Sequence, residues 1–116
     1  MMLIDTNVFI DHLRNYPPAV AYFSSIAERD DVLYSAITEV ELLTGTANND
    51  PSKRETLVHF LHRWTKVSLD NPLAIVAGDI ARAGVDVPDA IIAASALANG
   101  AQLVTRNVKH FRKVSV

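Results

Sequence analysis

The feature that most constrains this chain is the alternation of short apolar strands with helical stretches. Leu3-Ile4 reads as a strand that stops at Asp5. Thr6 and Asn7 are cap-type residues, after which Val8, Phe9, Ile10 and Leu13 recur with helical spacing. Pro17-Pro18 breaks that helix, and residues 19–29 form a second helical stretch with Val20, Phe23 and Ile26–Ala27 on one face. Asp30-Asp31 turns the chain into a strand at Val32-Leu33-Tyr34, and a helix beginning at Thr38 runs to residue 44. Asn48-Asn49-Asp50-Pro51 is a loop. From about Ser52 to Trp64 a helix carries Leu57, Phe60, Leu61 and Trp64 on its inner face and Lys53, Arg54, His62 and Arg63 outside. Val67–Leu69 is strand-like. A helix over 72–83 stops at Gly84, and Pro88 starts another that runs through Ala90–Ala98 to Asn99-Gly100. Gln102–Thr105 is a strand, and Val114–Val116 a last short one.

This alternation predicts an α/β domain with a parallel central sheet and helices on both faces. At 116 residues the chain suits a single domain, 1–116, with one core. The helix Ala90–Ala98 is apolar nearly all round and alanine-rich, as expected of a helix packed closely on a sheet.

Composition narrows the function. With no cysteine, a disulfide framework and thiolate metal sites are excluded. No apolar run reaches the ~18 residues of a membrane span, and Met1-Met2-Leu3-Ile4-Asp5 lacks the basic flank of a signal peptide. A cytoplasmic protein with no membrane partner is expected. The net charge of −2 hides an asymmetry: residues 1–50 hold two cations against eight acids, and residues 51–116 nine against five. The last eleven residues carry Arg106, Lys109, Arg112 and Lys113 and no acid. Acidic positions beside a basic tail suit a polyanion held through metal ions, and a solvated surface is the ordinary alternative.

In an open parallel sheet the site lies beyond the carboxyl ends of the strands. Asp5 follows the first strand. Glu41 lies one turn into the helix after the second, Asp89 one residue inside the alanine-rich helix, and Asn107 just past Gln102–Thr105. Each has a plain structural reading. Asp5 suits a helix cap, Thr38 to Glu41 a capping box, Asp89 a first turn favoured by the helix dipole, and Asn107 a turn. Those readings do not explain why all four acceptors fall at the ends of neighbouring strands. Three carboxylates sharing a pocket repel unless a cation joins them. Oxygen ligands without thiolate favour Mg²⁺ or Mn²⁺, and metal-held water suits phosphodiester hydrolysis. The histidines carry less weight: His59 and His62 fit a helix surface, His12 sits in a helical pattern, His110 lies beside the basic tail, and none has zinc-motif spacing.

The segments 3–11, 35–45, 87–94 and 103–107, read as Leu-Ile-Asp-Thr-Asn-Val-Phe-Ile-Asp, Ser-Ala-Ile-Thr-Glu-Val-Glu-Leu-Leu-Thr-Gly, Val-Pro-Asp-Ala-Ile-Ile-Ala-Ala and Leu-Val-Thr-Arg-Asn, resemble PIN-domain ribonucleases in order and spacing. Within that family the chain looks like the VapC-type toxins of toxin–antitoxin pairs. The resemblance spans almost the whole chain. It implies a single PIN-like domain in which Asp5, Glu41 and Asp89 are the catalytic and metal-binding acids. The fourth metal position falls on Asn107, a neutral amide where many members have aspartate. Thr6, Asn7 and Thr105 fall where the family has supporting residues. The implied activity is RNA cleavage with Mg²⁺, or Mn²⁺ in its place, commonly by a homodimer neutralised by a small antitoxin. Arg106 and Lys109 are candidates for RNA backbone contacts. Three alternatives are a phosphoacceptor receiver-like module, a metal-free ribonuclease using paired histidines, and an inactive PIN fold that only binds.

Overall fold

A computed structural model describes residues 1–111. Four strands form one wholly parallel sheet in the order β3-β2-β1-β4: β1 (Met2–Ile4), β2 (Val32–Ser35), β3 (Thr65–Val67) and β4 (Gln102–Val104). Around it lie α1 (Thr6–Leu13), α2 (Pro17–Ser25), α3 (Ala36–Leu43), α4 (Pro51–Leu61), α5 (Asn71–Arg82) and α6 (Val87–Ala98), with short 3-10 turns at Thr46–Asn49 and Val108–Phe111.

Alternation along the strands builds two cores. Ile4, Val32 and Tyr34 point to one face, where they meet Val8, Phe9, Phe23, Leu57, Leu61 and Trp64. Leu3 and Leu33 point to the other, against Ile92, Ala93 and Ala96 of α6. Residues 90–96 are buried without interruption, so the alanine-rich helix does lie flat on the sheet. Small side chains there let α6 approach both β1 and α5.

Several element boundaries differ from expectation for identifiable reasons. Pro17 and Pro18 do not separate two helices; they form the first turn of α2, where a missing N–H costs nothing. The break comes earlier, at Asn15 in the left-handed region (φ 60°), and α2 ends at Ser25 rather than 29. The third helix begins at Ala36, two residues before Thr38, because Ser35 caps it by accepting from the Ile37 amide at 3.2 Å. β3 is Thr65–Val67 rather than Val67–Leu69: its ladder with β2 ends at the Ser35–Val67 pair, and Leu69 is exposed. The strand expected at Val114–Val116 lies outside the described residues.

A tight α6 gives a direct test. Ala96 is fully buried against Leu3 and Ala101, so Ala96→Leu should destabilise the fold by about 1–3 kcal/mol through overpacking, read as a lower denaturant midpoint at unchanged slope.

Candidate active site

Parallel register carries Asp5 and Thr105 to the same place. Leu3 pairs with Leu103 and Ile4 with Val104. The Asp5 amide extends the ladder by one bond, donating to the Val104 carbonyl at 2.9 Å. One rung further, the Thr105 hydroxyl donates to Asp5 Oδ2 at 2.7 Å and accepts from the Asn107 amide at 3.0 Å. Asp5 stands at the amino end of α1, yet its side chain makes no capping hydrogen bond, so the cap reading of Asp5 is not realised. As a residue, Asp5 is only 2% exposed. Burial pushes its pKa up, with the charges of Asp89 and Glu41 acting the same way; the Thr105 hydroxyl and the Thr6 amide pull it down, without reversing the shift.

Glu41 belongs to a second network of hydroxyls. Thr6 Oγ1 donates to Glu41 Oε1 at 2.9 Å and lies 2.8 Å from Thr38 Oγ1, which is fully buried. Thr6 has one proton and gives it to Glu41, so Thr38 donates to Thr6. A capping box at Thr38 is ruled out: the cap is Ser35, and Glu41 sits in the second turn of α3. Thr38 is the residue that sequence reasoning misplaced. Thr38 stands one turn before Leu42 on the buried face of its helix, and a hydroxyl on such a face has a polar task.

Asp89 occupies the first turn of α6, partly buried, within electrostatic reach of Asp5. Asn107 is partly buried and joins the arrangement through its backbone amide. Asn7 is partly buried, and among the described residues its side chain makes no hydrogen bond to the acids. The Arg106 guanidinium pairs with Asp11 at 2.9 Å and ties the segment after β4 to α1, while Lys109 is exposed. Also among the described residues, no three acidic or histidine side chains stand close enough to hold an ion as they are placed. Asp89 and Glu41 are near enough to raise the cost of ionising Asp5, without the three closing into a cage.

Three histidines fall elsewhere, and the side chain of His110 lies outside the described ones. His59 and His62 are exposed on and just past α4, and His12 packs among aromatic rings. The arrangement also departs from a receiver module. The acid after the third strand, Asp70, accepts from the Leu73 amide at 3.0 Å and caps α5, and β3 is an edge strand, with β2 between it and β1.

A sheet with a buried aspartate at the end of its central strand and acids on two flanking helices defines a class of α/β protein, and comparison names the class. The PIN-domain family model matches residues 2–116, and the chain belongs to that family. It is 33% identical over 118 residues to Ribonuclease VapC19 of Mycobacterium tuberculosis, covering 96% of this chain and 92% of that one. A DNA-bound VapBC from Salmonella typhimurium is similar in structure at 29% identity with a TM-score of 0.77, covering 96% and 91% of the two chains. A toxin–antitoxin complex from Klebsiella pneumoniae shares the fold with a TM-score of 0.83 at 24% identity, covering 100% and 97%.

The raised pKa of Asp5 has a signed consequence. A carboxylate whose folded pKa exceeds its unfolded value destabilises the fold wherever it is ionised; that cost fades as pH falls through the folded pKa toward 3.8. In chelator at neutral pH, Asp5→Asn should therefore melt at or above wild type, and the difference should shrink as pH falls into that window. Thermal melts across pH check it; a variant that melts lower at neutral pH would make Asp5 a structural residue.

Proposed function

We propose that the protein is a metal-dependent endoribonuclease and the toxin of a type II toxin–antitoxin pair, acting in the cytoplasm. The observation that carries the reading is a carboxylate buried at a strand end with its charge unfavourable, flanked by two further acids. Such a group is costly unless a cation is held there. The donor set fits a hard divalent ion: carboxylate and amide oxygens, no thiolate, and hydroxyls that orient the acids. Asp5, Glu41 and Asp89 would hold Mg²⁺, or Mn²⁺ in its place, with the Asn107 side chain as a neutral fourth donor. The bound ion would supply positive charge for a phosphate oxygen and favour ionisation of a water.

The remaining work falls to the chain. Thr105 fixes the direction of Asp5, and the Thr38–Thr6 relay fixes Glu41. Glu41 orients the attacking water and takes up its proton. The water oxygen bonds to phosphorus as the bond to the ribose 3′ oxygen breaks; that oxygen takes a proton from solvent and Glu41 releases its own to solvent, leaving a 5′-phosphate and a 3′-hydroxyl. Arg106, steadied by Asp11, and Lys109 face the RNA backbone as cations.

The resemblance to VapC-type toxins supports a small antitoxin as this protein's partner, in keeping with neighbours that are a DNA-bound VapBC and a toxin–antitoxin complex. The exposed apolar residues Leu69, Ile75 and Val76 on and beside α5 support a second copy of the chain as another.

Two experiments test this reading. Purified protein should cut RNA with Mg²⁺ or Mn²⁺ and stop in chelator; cleavage that persists in excess chelator would overturn the metal mechanism in favour of a histidine one. Glu41→Gln should lose most activity, on the order of 10²-fold or more, with a melting temperature near wild type. A silent Glu41→Gln would reduce Glu41 to a helix-surface residue.

A further inference from the structure

Beside the carboxylates runs a groove of about 730 Å³, set between α1, α3, the 3-10 turn Thr46–Asn49 and α4. Its size falls in the range of sites that hold a compact ligand, ~300–1,000 Å³. Glu41 lines it and also accepts from Thr6 in the acid cluster, so the groove meets the site at that one carboxylate. One wall is aromatic: the rings of His12 and Phe60 both line the groove and stack 4.8 Å apart at 11°. Arg14 and Lys53 are exposed on its rim, and among the described lining residues Glu41 is the one acid.

We propose that this groove is the track for the single-stranded RNA flanking the scissile phosphate, with a base packed on the His12–Phe60 wall and neighbouring phosphates held by Arg14 and Lys53. The inference rests on the ribonuclease reading and goes beyond it by saying how the substrate is gripped. Three features select RNA over an apolar peptide. Aromatic side chains beside cations are the usual means of holding an unpaired strand. The charge of the rim complements phosphate, and the acid end of the groove is where the cut phosphate must lie. A base can enter only out of its stack, so paired RNA is excluded. Burial holds the His12 pKa below the usual histidine range, so its ring is a neutral aromatic surface at neutral pH.

The test is binding, separate from cleavage. A fluorescent single-stranded oligoribonucleotide, and a series carrying one abasic position each, are titrated in chelator and followed by anisotropy. Arg14→Glu and Lys53→Glu should each weaken binding about tenfold or more and lower the salt dependence, while Arg82→Glu, on α5, should not. Phe60→Leu keeps an apolar side chain and should weaken binding about fivefold or more. At one abasic position the wild type should lose the same factor, and Phe60→Leu should cost nothing further there. No binding by wild type, equal binding by all variants, or equal weakening by Arg82→Glu would overturn the inference and leave the groove to a protein partner. Cleavage with Mg²⁺ or Mn²⁺ on the same preparations decides the ribonuclease reading independently: RNA cut without groove-dependent binding sinks only this proposal, and groove-dependent binding without cutting sinks only the other.

Discussion

The burial of one carboxylate at the end of the central strand organises the rest of this molecule. Asp5 sits where β1 stops, between β2 and β4, and its amide still belongs to the sheet through the Val104 carbonyl. Its backbone therefore has little freedom, and the Thr105 hydroxyl holds its carboxylate. Moving it away from the acids means breaking a ladder bond and the register of β1 with β4. The helices on the other side of the sheet are held by the same register, because Leu3 and Leu33 seat α6, and α6 carries Asp89. Repulsion at the site is thus opposed by apolar packing elsewhere. That is the usual arrangement for a functional site: local free energy is unfavourable and the fold supplies the balance.

Hydroxyl groups mediate between this rigid frame and the acids. Thr105, Thr6 and Thr38 each give a proton toward a carboxylate or toward the hydroxyl that holds one. A hydroxyl is neutral, so it orients an anion without neutralising it. An arginine in those positions would compensate the acids and leave no demand for a cation. Among the described residues, Arg106 is tied to Asp11, and Arg14 and Lys53 stand on the groove rim. Thr38 and Thr6 are buried more deeply than Glu41, so the hydroxyls hold that acid from the interior side.

Much of this was legible in the sequence because it depends on period and spacing. Strand alternation assigns Leu3 and Ile4 to opposite faces, and the unbroken apolar run 90–96 marks a helix buried on the sheet. The strand-end positions of Asp5 and Asn107 follow from where hydrophobic runs stop. Boundaries were less legible where two local rules compete. Proline reads equally as a helix breaker and a helix starter, and only Asn15 with its positive φ shows which applies at Pro17-Pro18. Ser35 and Thr38 are both capping residues, and choosing between them requires knowing where β2 ends.

The sequence by itself determined the class of fold, the parallel sheet and the positions of Asp5 at a strand end and Asp89 in a first helical turn, since each is encoded in residue order within a short window. Tertiary structure alone decided what those acids experience. That Thr38 serves Glu41 through Thr6, that Thr105 directs Asp5, and that Arg106 is paired with Asp11 are contacts across 32 to 100 residues of chain. No local spacing predicts them, because they arise from strand register and helix packing. The electrostatic cost at Asp5 has the same origin. A carboxylate has an ordinary pKa in any short peptide, and only enclosure by the sheet and the approach of Asp89 and Glu41 push it upward.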